Sequence, residues 1–259
     1  MNPGEHAVMA RVEERHWWYR GLRDCLARVL SRPDLRPPEH PRVLDAGCGT
    51  GENLRFLGDW LAPAWLGGFD ASDEALALAR TKAADAQLWR SDLCDPELPV
   101  EGLDLVTSFD VVNIPGLRRA TPGLRRLVAG LRPGGLLVLN LPAHRWLYSR
   151  HDVAVHSSER YALGEVRRLL ADLGLGVEIL SHRLCLLLPL VAAARLPGRL
   201  RARLDAAGAR SDLHRTPSDA ANRALFAVLR LENELIARGV RLPFGSSIFA
   251  VGRKPLASG

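Results

Sequence analysis

The chain has 259 residues, 47% of them hydrophobic, enough apolar material for one large domain or one domain with a modest addition. Its four cysteines, Cys25, Cys48, Cys94 and Cys185, are scattered without a C-x-x-C pair; this argues against a zinc site or disulfide framework and for reduced thiols in a cytoplasmic protein. The net charge of +6 invites a nucleic-acid reading, but 33 of the 35 basic residues are Arg, a skew better explained by coding bias than by selection for phosphate contacts.

A helix is predicted from Glu5 to Leu30. Within it, His16-Trp17-Trp18-Tyr19-Arg20 is more polar and aromatic than an ordinary surface turn. Functionally, Trp17, Trp18, Tyr19 and Arg20 are candidates for a lid or an aromatic wall of a substrate pocket; structurally, they would only anchor the helix. Four prolines between 33 and 41 end it, and the next 100 residues alternate strand-like and helical runs, the signature of a parallel sheet covered on both faces. Strands are expected at Arg42–Ala46, Ala64–Phe69, Ala86–Arg90, Leu103–Phe109 and Gly135–Asn140, with helices at 52–60 and after Ser72, an N-cap followed by Asp73 and Glu74. Pro122 starts or interrupts a helix ending near Leu131, and Arg132-Pro133-Gly134-Gly135 reads as a turn. Two later strands are expected at Val177–Leu184 and Ser246–Arg253. No leader peptide is recognisable at the start of the sequence.

The strands end in polar residues: Asp45, Asp70, Asp92, Asp110 and Asn140. Ligands of open α/β sheets bind beyond the carboxyl ends of their strands, so five such ends in register suggest one site, although a single Asp after a strand is commonly a cap or turn residue. The segment Asp45-Ala46-Gly47-Cys48-Gly49-Thr50-Gly51 follows the first strand, and its glycines let a ligand lie against bare backbone. A dinucleotide would set its pyrophosphate against the Asp45 carboxylate, and its fingerprint asks for glycine where this chain has Glu52. S-adenosylmethionine has no phosphate and carries an ammonium and a sulfonium, so the loop favours that cofactor.

Between Ala143 and Tyr161, beyond the fifth strand, lie three of the eight histidines together with Trp146, Tyr148 and Arg150. His151 is the preferred general base because Arg150 and Asp152 adjoin it; His144 and His156 are its rivals, and the bland alternative is that all three satisfy loop backbone and surface. Trp146, Tyr148 and Arg150 are candidate substrate contacts. The longest apolar run, 184–194, is too short to span a bilayer, which takes about 20 residues. With Arg195, Arg199, Arg201 and Arg203 behind it, it is read either as a buried helix or as a weak interfacial contact with lipid. Residues 181–259 carry 13 basic and 5 acidic residues. About 60 residues between the last two strands have helical periodicity, with Ala221, Ala224, Leu225, Val228, Leu231 and Leu235 on one face.

Taken together, these motifs resemble those of the class I S-adenosylmethionine-dependent methyltransferases. Val43–Gly51 is similar to the family's Asp-x-Gly-x-Gly-x-Gly loop, Phe69-Asp70 to its ribose-binding acid, Ser91-Asp92-Leu93 to its adenine-edge segment, 103–110 to its fourth strand and 131–135 to the approach to its fifth. His16–Arg20 and Pro243–Ser247 also resemble a bacterial subgroup. The resemblance implies a doubly wound, mostly parallel seven-stranded sheet with one antiparallel strand; the residues themselves divide the chain into an N-terminal helical lid (1–40), a cofactor-binding core (41–185), a helical insertion (186–245) and a last strand and tail (246–259). It implies that Gly47, Cys48, Gly49 and Gly51 lie against the methionine portion and that Asp45 engages the amino group, directly or through water. It further assigns Asp70, with Ala71 beside it, to the ribose, Asp92 and Leu93 to the adenine, and Asp110 to the reacting centre. Where many relatives carry a Glu-His pair after the fourth strand, this chain has Asp110-Val111-Val112-Asn113-Ile114. The expected activity is O- or N-methylation of a small natural-product or lipid-like acceptor. A nucleic-acid methyltransferase is the alternative, weakened because Asn113-Ile114-Pro115-Gly116 lacks the Pro-Pro-aromatic motif; a non-catalytic cofactor-binding protein is the third reading.

Overall fold

The computed structural model describes residues 4–193 and 217–256. Seven strands form one sheet: β1 (Arg42–Ala46), β2 (Trp65–Asp70), β3 (Gln87–Arg90), β4 (Leu103–Phe109), β5 (Leu131–Pro142), β6 (Gly176–Arg183) and β7 (Ser247–Arg253). Their order is β3-β2-β1-β4-β5-β7-β6, and β7 alone runs antiparallel to its neighbours. The sheet is therefore doubly wound and mostly parallel, as the strand pattern implied.

Helices cover both faces. On one, α5 (Leu117–Gly130) and α7 (Leu163–Asp172) bury Leu124, Leu127, Val166 and Leu170 against Leu137, Leu139 and Ile248. On the other, α2 (Trp17–Leu30) packs Leu22, Leu26 and Val29 onto Val138, Phe249 and Val251. Other helices among the described residues include α1 (Glu5–Val12), α3 (Glu52–Leu61), α4 (Asp73–Lys82), the short α6 (Arg150–Ala154) and α8 (Asp219–Ala237). The order of strands puts the ends of β1, β2, β4 and β5 on one edge, with β1 and β4 at the point where the winding reverses.

Three local expectations are corrected. The N-terminal helix is two helices, because the buried Arg23 donates from Nη2 to the carbonyls of Glu13 (2.8 Å) and Glu14 (3.2 Å). That satisfies the end of α1, and His16 restarts the chain as the N-cap of α2. The segment 132–135 lies within β5: Leu131 pairs with Leu103 and Leu136 with Leu105, so the extra residues bulge out of the ladder, with Gly134 at φ 81°. Finally, the packed face of α8 follows its expected apolar stripe only in part: Leu225 and Val228 pack beside the buried Leu229, but the C-terminal half is turned. Leu231 is 59% exposed, whereas Glu232 and Asn233 are buried. Glu232 accepts from the amides of Cys185 and Leu186, and Asn233 donates to Gly21 O at 2.8 Å. Backbone groups that need partners have overridden periodicity there.

Pro122 lies inside α5. Part of the expected insertion, and all of Arg195, Arg199, Arg201 and Arg203, lies outside the described residues. Among the described residues no helix is long and apolar enough to cross a membrane.

Candidate functional site

Sharp turns leave the carboxyl edge of the sheet. Gly47, Gly49 and Gly51 all have positive φ (79°, 55° and 87°), a conformation that side chains oppose. A Cβ on Gly47 would also lie 2.4 Å from Val111 Cγ2, so this glycine lets the loops after β1 and β4 touch. The amides of Gly47 and Cys48 donate to Phe69 O, both at 2.9 Å. Asp70 fastens the rest: its Oδ2 accepts from Gly49 N at 3.0 Å and its Oδ1 from Ser72 N at 2.9 Å. The carboxylate is thus pre-oriented at the end of β2 with further acceptor capacity. Asp92 accepts from Cys94 N at 2.8 Å.

These turns open onto a cavity of about 810 Å³. Gly47, Cys48, Gly49, Asp70, Ala71, Asp92, Leu93 and Asp110 line it; so do Trp17, Trp18, Tyr19 and His151. Asp45 and Gly51 are absent from its lining. Asp45 lies behind the loop, 1% exposed, with Oδ1 accepting from Thr107 Oγ1 at 2.6 Å and Oδ2 without a partner. Burial pushes its carboxyl up to about 7, opposed by the Thr107 hydrogen bond and aided by the nearby Asp70 charge.

That shift predicts a pH effect. A carboxyl raised on folding lends stability below its unfolded pKa, and the contribution is lost as pH rises through the folded value. Asp45→Asn is therefore expected to melt with the wild type near pH 4 and above it at pH 8. A shift of about 3 units corresponds to roughly 4 kcal/mol, and thermal melts of ligand-free protein at the two pH values measure it. Equal melting at pH 8 would contradict the raised carboxyl.

The histidines divide. His151 faces the cavity, and His144 and His156 do not. His144 takes φ 59° and stacks on His182 with ring centroids 5.1 Å apart; burial lowers its pKa. His156 is exposed. Trp146 and Tyr148 are likewise exposed and, with Arg150 and Arg20, lie outside the lining; the Arg20 guanidinium stands 4.0 Å above the Phe226 ring. Asp152, beside His151, caps α6 and pairs with Arg160 at 2.8 Å, each side chain 2% exposed.

At the end of β4, Asp110 has φ 55°. Its amide donates to Asn140 O and its Oδ2 accepts from Asn140 Nδ2, both at 2.8 Å. Asn113, in the segment after β4, donates to Ser157 Oγ at 2.8 Å and lines the cavity.

His6, Met9 and Glu13 of the N-terminal segment also line the cavity and were not singled out from sequence, whereas the lining residues Ser246 and Ser247 belong to the Pro243–Ser247 motif. Glu13 has a physical signature in hindsight: it bonds Thr50 of the glycine loop and Lys82 of α4, tying the N-terminal helices to the site. Nothing in the local sequence around Glu13 announces those long-range partners.

Comparison with known proteins agrees with this geometry. Residues 43–135 match the family model of a methyltransferase domain. The chain is 30% identical over 283 aligned residues to trans-aconitate 2-methyltransferase of Streptomyces coelicolor, covering 93% of this chain and 84% of that one. Of two other curated relatives, both trans-aconitate 2-methyltransferases, the chain spans 44% (Variovorax paradoxus) and 60% (Streptomyces avermitilis). Among solved structures, the putative methyltransferase in complex with the Haloferax volcanii Trm112 activator is 21% identical with a TM-score of 0.57, covering 99% of this chain and 95% of that one. Magnesium protoporphyrin IX methyltransferase of Synechocystis, solved with bound S-adenosylhomocysteine, is 15% identical with a TM-score of 0.54, covering 91% and 83%. Both share the fold.

Proposed function

The chain belongs to the class I S-adenosylmethionine-dependent methyltransferases, and from that premise we propose that it methylates oxygen or nitrogen of a small-molecule acceptor held in the cavity at its sheet edge. The cavity carries this reading. Its volume of about 810 Å³ falls within the roughly 300–1,000 Å³ typical of small-ligand sites, and both strand ends and aromatic residues of α2 line it. The name of the Streptomyces coelicolor relative gives a small organic acid as its acceptor, which supports a small molecule over a polymer.

S-adenosylmethionine supplies an electrophilic methyl group on a sulfonium, and sulfur leaves as a neutral thioether. The chain's residues fit that cofactor. Asp70 is proposed to receive the ribose hydroxyls with the lone pairs that Gly49 and Ser72 leave over, and Asp92 with the Leu93 amide to hold the adenine edge. The bare backbone of Gly47–Gly49 takes the methionine portion. Asp45, with one unpartnered oxygen buried behind the loop, contributes a favourable field toward an ammonium without touching it. Trp17, Trp18 and Tyr19 wall the acceptor and exclude water, so α1 and α2 act as a lid. Much of the catalysis is then alignment. His151 is proposed to take the acceptor's proton, and Asp110 to orient the acceptor.

Incubation with cofactor tritiated in the methyl group, followed by separation of small molecules from RNA, tests the proposal. Label in the small-molecule fraction is expected. Label confined to RNA would overturn it, and cofactor binding without any turnover would leave a non-catalytic binding protein.

A further inference from the structure

We propose that Arg183 receives a carboxylate of the acceptor, which makes the substrate an organic acid; this inference rests on the methyltransferase reading of the cavity. Arg183, the last residue of β6, is fully buried at 0% exposure. Its Nη1 donates to Asn140 Oδ1 at 3.1 Å, while Nε and Nη2 have no hydrogen-bond partner. Those two nitrogens form the side edge of the guanidinium, whose parallel N–H groups match the two oxygens of a carboxylate. A buried cation left unpaired is costly.

Among the described residues no acid supplies the missing partner. Glu232, whose charge is felt with that of Arg183 at Cys25, gives its oxygens to the Cys185 and Leu186 amides. Asp110 is separated from Arg183 by the side chain of Asn140, which accepts from one and donates to the other. Among the described residues Arg183 has no salt bridge.

Its position points to the cavity. The next residue, Leu184, lines it, as does its register partner on β7, Ser247. Strand alternation puts Arg183 on the same face of the sheet as Ile179, which packs with α2. That face carries Leu22 and Phe109, both cavity residues. Arg183 is not itself a lining residue; the acceptor's carboxylate is placed at the seam between Leu184 and Ser247, the lining residues that adjoin Arg183 in chain and in register. A single cation with one free two-donor edge suits a carboxylate better than a dianionic phosphate.

The test is thermal melting of the full chain saturated with S-adenosylhomocysteine, with benzoate, succinate and trans-aconitate as probes, trimethyl trans-aconitate as the neutral control and sulfate as the alternative anion. At least one carboxylate is expected to raise the melting temperature by roughly 5 °C near saturation, the ester is not, and Arg183→Met should abolish the rise. Without carboxylate, Arg183→Met should melt no lower than wild type, since it removes an uncompensated charge. Arg183→Lys, which keeps the charge and loses the paired edge, should lose most of the response and serves if the Met variant does not fold. The assignment fails if no carboxylate shifts the wild type, if sulfate matches or exceeds the carboxylates, or if Arg183→Met responds like wild type. Calorimetry with S-adenosylhomocysteine separates the two levels: no binding strikes the methyltransferase reading, whereas binding without a carboxylate response strikes only Arg183.

Discussion

Asp70→Ala is expected to weaken S-adenosylhomocysteine binding by about 100-fold or more. Hydrogen bonds to a charged group contribute roughly 1.5–3 kcal/mol each, and the proposed ribose contact involves two. The same change releases the amides of Gly49 and Ser72, which Asp70 holds at 3.0 and 2.9 Å, so the glycine loop also loses its clamp. Asp70→Asn separates these effects. It preserves size and one acceptor but cannot accept at both atoms, so its loss should be intermediate and its fold intact. Isothermal titration measures both variants, with melting curves to establish folding. Near wild-type affinity in a folded Asp70→Ala protein would remove Asp70 from the cofactor site.

The sheet and the loop after β1 were legible because their chemistry is local. A strand followed by Gly47, Gly49 and Gly51 can turn in few ways, and the polar residues ending β2 and β4 mark one edge. The acceptor side was not legible in the same way. His144, His151 and His156 lie within 13 positions, yet only His151 meets the cavity; the path of the chain from Pro142 to Tyr161 decides which. The positive φ of His144 turns its ring onto β6, a choice no periodicity encodes. Arg183 reads in sequence as an ordinary strand-end cation, and its burial follows from the β7 strand and the α2 helix closing over it. The buried face of α8 misleads for a related reason, since Glu232 and Asn233 serve backbone groups more than 40 residues away.

Replacing the proposed base gives a result of comparable size. His151→Ala is expected to lower kcat by about 10²–10⁴, the usual contribution of a positioned acid or base, while S-adenosylhomocysteine affinity stays within about twofold because the cofactor's proposed contacts come from other elements. His144→Ala and His156→Ala should retain near wild-type turnover, since neither residue lines the cavity. The three variants therefore form an internal control: they remove the same chemical group from neighbouring positions, and only one faces the acceptor. A pH profile adds a second readout. A histidine base works in its neutral form, so wild-type kcat should fall as pH drops through the histidine range, and His151→Ala should lose that limb. Should all three variants turn over like wild type with unchanged profiles, proton removal must fall to Asp110 or to solvent. Asp110→Asn would then be the decisive change, because it keeps the Asn140 neighbour and removes the charge.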